Sequence, residues 1–174
     1  MNKSVYPKRG LAVKVQNIVN VDVDVLVISA NPSLLAGSGI SGIIHRIAGP
    51  ELEKEVKHLG PLKAGQSAIT SAFNLRAKYV IHTVCPHYMD GLRGEHDELA
   101  KAYASALAFY GQLTDVTSIA FVSMGTGVYK WPIGLATDIA ARELLKSKFV
   151  ETIVSVMDER TKHIYDEALL KLHP

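Results

Sequence analysis

Apolar positions along this chain recur with two different spacings, and the switches between them mark its elements. Alternating or continuous apolar runs predict strands over 11–16, 23–28, 67–72, 79–84, 118–123 and 152–157. Apolar residues spaced three and four apart predict helices over 41–58, 95–113, 132–148 and 159–172. In the first helix Ile44, Ile47, Leu52 and Val56 form the apolar face. Pro132 is expected to open the third at a favoured early position. Strands and helices alternate with no linker and no internal repeat, which predicts an α/β three-layer α/β/α sandwich and a single domain over 1–174. In folds of this kind, ligands bind beyond the carboxyl ends of the strands.

Two glycine-rich segments fall at such ends. The first follows the strand over 23–28 and its Ser29-Ala30-Asn31 exit, and runs Gly37-Ser38-Gly39-Ile40-Ser41-Gly42 into an apolar helix start. Unpaired N–H groups and the positive end of the helix dipole would then face the loop, an arrangement suited to a phosphate. The second is Ser123-Met124-Gly125-Thr126-Gly127-Val128-Tyr129, between the strand over 118–123 and Pro132. Glycines there let backbone N–H groups approach a diphosphate closely, Thr126 offers a hydroxyl, and Tyr129 a flat apolar face for a sugar. The first segment also matches GxGxxG. A dinucleotide fold, however, requires a very short strand-to-glycine turn and an acidic residue at the end of a second strand. Here 29–36 intervene, and Glu51, Glu53 and Glu55 lie in the helical stretch, so that assignment is set aside.

Composition narrows the field. Apolar residues make up 48% of the chain, which excludes a disordered polypeptide. The formal net charge is +2, and the densest basic stretch, 3–9, holds three basic residues, so no nucleic-acid footprint is indicated. Apolar runs are too short for the roughly 20 residues of a membrane span. Residues 1–7 are short and polar, without the apolar core of a secretory signal. Cys85 is the sole cysteine, so no disulfide forms within the chain. The expectation is a cytoplasmic protein that needs no cofactor. His87, Asp90 and His96 fit no standard zinc spacing, so no metal site is expected.

Taken together, these motifs resemble the macrodomain family, whose members bind ADP-ribose. The resemblance runs from Ile28-Ser29-Ala30-Asn31 through Gly42 to Leu52, continues over 65–68 and 74–84, and closes with Gly125 to Tyr129. It implies a mixed, mostly parallel sheet between helices and a ligand cleft across the sheet top. Asn31 matches the asparagine that holds the distal ribose. Gly37, Gly39, Ile40, Ser41 and Gly42 match the loop over that ribose and the phosphates, and Gly125, Thr126, Gly127, Val128 and Tyr129 match the loop enclosing the diphosphate. Asn17, beside Ile18, stands where the family usually has an aspartate that bonds the adenine amino group. Met157 falls near the position of an adenine-stacking aromatic; plain core at a strand end is the competing assignment.

Family hydrolases commonly carry an aspartate in the first loop, within Gly-Val-Asp-Gly. This chain has Gly39-Ile40-Ser41-Gly42, and Ile28 replaces the first asparagine of the signature. A serine hydroxyl alone is a poor base at neutral pH, and Ser41 is expected to cap the following helix. The implied function is binding of ADP-ribose or a derivative with weak or no hydrolysis. The alternative is a hydrolase acting on an ADP-ribosylated macromolecule, O-acetyl-ADP-ribose or ADP-ribose 1''-phosphate by a non-standard route. Candidate catalytic residues are Asn31, Ser41 and His45, the last one helical turn beyond Ser41. His82 is expected to pack or to bond backbone, and Cys85 to be an inert buried thiol.

Overall fold

The computed structural model describes residues 10–127 and 129–172. Among them a six-stranded sheet has the order β1-β6-β5-β2-β4-β3. The strands are β1 (Leu11–Val15), β2 (Val25–Ala30), β3 (Ser67–Ser71), β4 (Tyr79–Val84), β5 (Ser118–Val122) and β6 (Glu151–Val156). Every neighbouring pair is parallel except the edge strand β3, which runs antiparallel to β4. The sheet is therefore mixed and mostly parallel, as the resemblance implied.

The alternation of side chains along buried strands decides which helices cover which face. Val25, Val27, Ile81, Ile119, Phe121 and Val154 point to one side, where they meet α3 (Glu95–Leu107), α4 (Ile133–Leu144) and α5 (Glu159–Lys171). Leu26, Ile28, Val80, Ala120 and Ile153 point to the other, where they meet α1 (Ile40–Ala48) and α2 (Pro50–Val56). This is the three-layer sandwich, and no helix among the described residues is long and apolar enough to cross a membrane.

Several boundaries differ from expectation. The helix predicted over 41–58 is two helices, because Gly49 takes φ 92° and Pro50 restarts the chain at the first position of α2. The break resets the helical frame. Ile44 and Ala48 are buried in α1, and Leu52 and Val56 in α2, while Ile47, expected on the apolar face, is 39% exposed. The helix predicted over 95–113 tightens after Leu107 into a 3-10 turn over Ala108–Gln112. Pro132 precedes α4 as its N-cap rather than lying inside it. A 3-10 turn over Ile18–Asn20 was missed; the Asn17 side chain caps it by accepting from the Val19 N–H at 3.2 Å. The opposite end of the sheet is tied by Asp24, whose Oδ2 accepts from the N–H groups of Thr117 and Ser118, with Lys78 3.4 Å from Oδ1.

Candidate functional site

A cleft of about 720 Å³ opens at the carboxyl ends of the parallel strands. It has two walls and a floor. Gly37, Ser38, Gly39, Ile40 and Ser41 form one wall. Gly125, Thr126, Gly127 and Tyr129 form the facing wall. Strand-end residues Ser29, Val122, Ser123 and Ser155 lie between them, and Asn17, Ile18, Met157 and Asp158 close one end. Of the expected ligand residues, Val128 lies outside the described residues and Gly42 does not line the cleft. Gly42 sits inside α1, where a β-carbon would lie 2.2 Å from the Gly37 carbonyl oxygen. Its job is to let the loop fold against the helix.

The first wall is built on a helix start without a side-chain cap. Gly39 is the N-cap of α1, with φ 73° and ψ −144°, a conformation that L side chains avoid. Ser41, expected as the cap, is the second residue of α1 and is buried. Its hydroxyl points back to the Leu35 carbonyl at 3.5 Å. The first-turn N–H groups therefore keep their positive field toward the cleft.

Asn31 lines the cleft but spends much of its amide on its own loop. Oδ1 accepts from the Ser33 N–H and the Ser33 hydroxyl, and Nδ2 donates to the Leu35 carbonyl at 2.9 Å. An amide nitrogen has two hydrogens, so one N–H remains for a ligand. Gly37 leaves that amide room: a β-carbon there would lie 3.0 Å from Nδ2.

The second wall is pinned from behind. Gly125 has φ 91°, and a β-carbon on it would strike the Trp131 ring at 2.7 Å, so this glycine answers to packing as well as to backbone conformation. Gly127 has open space around it. Thr126 donates to the Ser123 carbonyl at 3.2 Å rather than offering its hydroxyl proton to the cleft. Tyr129 donates to the Ala30 carbonyl at 3.2 Å, and its ring lies tilted at 46° to that of His87, with centroids 4.5 Å apart. At the far end Met157 is 77% exposed on the rim, which excludes the core assignment. Asp158 caps α5 by accepting from the Thr161 N–H at 2.7 Å.

His45 does not join Ser41. It is buried behind the loop, its ring centroid 6.2 Å from that of His82, and neither ring nitrogen makes a well-formed hydrogen bond. Burial lowers its pKa, only partly offset by the Leu34 backbone and the charge of Glu53. His82 is fully buried in mid-strand, bonded through Nε2 to the Thr70 hydroxyl at 2.9 Å. Burial, with His45 beside it, pushes its pKa down to about 3. Cys85 is buried and its thiol is pushed up to about 12, the behaviour of an inert cysteine.

The lining residues that sequence reading did not assign to the site include Gln16, Ser29, Val122, Ser123, Ile133, Ser155 and, around the start of α5, Asp158, Arg160 and Thr161. One signal was available: in a parallel sheet every strand delivers its carboxyl end to the same edge, so the exit of β6 had to reach the cleft with the exits of β2 and β5.

A model of the macro domain matches residues 27–140, which include both glycine walls. The chain belongs to the macro domain family. A macro domain-containing protein of Listeria monocytogenes is 41% identical over 161 residues, spanning 90% of each chain. The ADP-ribose glycohydrolase MACROD2 of Xenopus laevis is 38% identical over 165 residues, which are 91% of this chain and 39% of that protein. Among solved structures, the Oceanobacillus iheyensis macrodomain with MES bound superposes with a TM-score of 0.83 at 35% identity, over 92% of this chain and 90% of that one. The Trypanosoma brucei macrodomain in complex with ADP-ribose superposes with a TM-score of 0.81 at 30% identity, over 91% of this chain and 68% of that one. In this macro domain, as the geometry above shows, the strand carboxyl ends meet an open cleft between the two loops.

Proposed function

We propose that this macro domain binds ADP-ribose, free or as a mark on another macromolecule, in the cleft between the glycine walls, with weak or no turnover. The observation that carries this reading is the pairing of an uncapped α1 N-terminus with the Gly125–Gly127 turn across the same opening. Both present backbone to a bound pyrophosphate with no β-carbon intruding. The named ADP-ribose complex of the Trypanosoma brucei macrodomain supports the ligand class.

Weak turnover follows from what faces the distal end. Ser41 offers a hydroxyl already directed at the Leu35 carbonyl, and His45 makes no bond to it. A water molecule there has no carboxylate and no aligned imidazole to take its proton. The glycohydrolase name of the MACROD2 relative makes turnover the alternative worth measuring.

Calorimetry with ADP-ribose tests binding: saturable heat at micromolar to low-millimolar ligand is expected, and no heat at millimolar ligand refutes the proposal. Release of ADP-ribose from an ADP-ribosylated protein, compared among wild type, Ser41→Ala, Asn31→Ala and His45→Ala, tests turnover. Equal background in all four is expected. A rate that wild type shows and Ser41→Ala lacks would make the protein a hydrolase. Ser41→Asp is expected to raise release above background.

A further inference from the structure

Ser123 directly follows β5 at the cleft floor, and buried phenol hydroxyls lie behind it in the core. The Ser123 hydroxyl lies 2.9 Å from the Tyr165 hydroxyl on α5. Tyr103 on α3 belongs to the same buried cluster as Tyr165. The Tyr103 oxygen accepts from the backbone N–H of Met124 at 3.1 Å. Tyr103, Tyr165 and Met124 are all buried.

Counting protons fixes the direction of the bond between Tyr165 and Ser123. A backbone N–H can only donate, so at Met124 the Tyr103 oxygen must accept. Tyr165 is buried and its phenol proton needs an acceptor; the hydroxyl bonded to it is that of Ser123, so that proton goes to Ser123 Oγ. With Tyr165 donating from behind, the Ser123 hydroxyl keeps its own proton, and the cleft is what remains for that proton to face.

We propose that Ser123 is a hydrogen-bond donor to an anionic oxygen in the cleft, and that Tyr165 is the positioning residue that leaves the serine proton free for that role. With the ligand assigned above, the anion is an oxygen of the pyrophosphate, and to that extent this inference rests on the proposed function. The core decides here that the floor serine has a proton to give to the ligand. A phosphate oxygen, which is charged and only accepts, makes a stronger bond with that proton than a neutral hydroxyl oxygen does.

The test compares ADP-ribose affinity among wild type, Ser123→Ala, Ser123→Thr, Tyr165→Phe and the Ser123→Ala/Tyr165→Phe double variant, with thermal unfolding of each. Ser123→Ala is expected to weaken binding about tenfold or more, the loss typical of a hydrogen bond to a charged group. Ser123→Thr, which keeps the hydroxyl, is expected to restore most of it. Tyr165→Phe is expected to weaken binding severalfold in wild type and to add nothing once Ser123 is alanine. That dependence distinguishes positioning from a general loss of stability. If wild type binds and Ser123→Ala stays within about twofold of it, the inference is overturned while the proposed function stands. If wild type does not bind ADP-ribose, the proposed function fails, and inorganic pyrophosphate becomes the probe. The Met124 amide resonance is then expected to shift on titration in wild type and not in Ser123→Ala; equal response in both, or none in either, overturns the inference.

Discussion

The side-chain amide of Asn31 is bonded to the carbonyl of Leu35 at 2.9 Å, so the asparagine at the cleft wall also holds its own loop in shape. The two roles separate under substitution. Asn31→Ala loses both the loop bonds and the ligand-facing N–H. Asn31→Asp keeps an acceptor for Ser33 but sets a carboxylate against the Leu35 carbonyl and removes the donor. Asn31→Asp is therefore expected to weaken ADP-ribose binding more than Asn31→Ala, by at least about tenfold relative to wild type. Calorimetry on both variants checks the order; reversal would mean that the loop bonds, not the donor, carry the effect.

Gly127 has no heavy atom within 4 Å of a built β-carbon and lies on the cleft wall. Gly127→Glu is therefore expected to fold normally and to abolish ADP-ribose binding, because a carboxylate would occupy the space of the pyrophosphate. Thermal unfolding within a few degrees of wild type, together with loss of calorimetric heat, is the expected pair of results. Unchanged affinity would move the diphosphate away from this turn. Gly125→Ala is the contrasting case: its β-carbon meets Trp131 at 2.7 Å, so stability is expected to fall first.

The buried pair His45 and His82 makes folding sensitive to mild acid. Burial depresses both pKa values in the folded chain, that of His82 to about 3. In the unfolded chain both bind protons from about pH 6.5 downward. The unfolded state thus holds more protons below that point, so stability is full above pH 6.5 and declines as the pH falls toward 3. The slope approaches about 1.4 kcal/mol per pH unit for His82, and His45 adds to it in the same direction. Urea unfolding at pH 7.5, 6 and 5 checks this. His82→Gln, which keeps a partner for Thr70, is expected to flatten part of the decline.

Asp24 acts in a lower pH window. Burial pushes its pKa up, but the N–H groups of Thr117 and Ser118 and the charge of Lys78 outweigh that and hold it below 3.8. Its contribution is fully present above that value and is lost as the pH falls through the folded pKa. At pH 7, Asp24→Ala strands the two N–H groups and is expected to cost about 1–2 kcal/mol in denaturant unfolding, with ligand affinity unchanged. A loss below about 0.3 kcal/mol would mean that water replaces the carboxylate at no cost.

What the sequence determined alone is the order of elements and the place of the cleft. Strand runs such as Ile119-Ala120-Phe121 are apolar on both faces, so they had to be central, and the alternating helices had to cover both sides. Two glycine segments after such strands had to share one edge. Local chemistry reaches no further than this. Gly49-Pro50 reads as part of a helix until the φ of Gly49 and the register of Leu52 are known. Ser41 reads as a cap until Gly39 takes that place. His45 reads as a partner for Ser41 until its neighbour proves to be His82. Most clearly, Ser123 and Tyr165 lie far apart in sequence, and each alone is an ordinary hydroxyl. Only the packing of α5 against the end of β5 joins them, because hydrogen-bond direction belongs to the assembled pair and not to either residue.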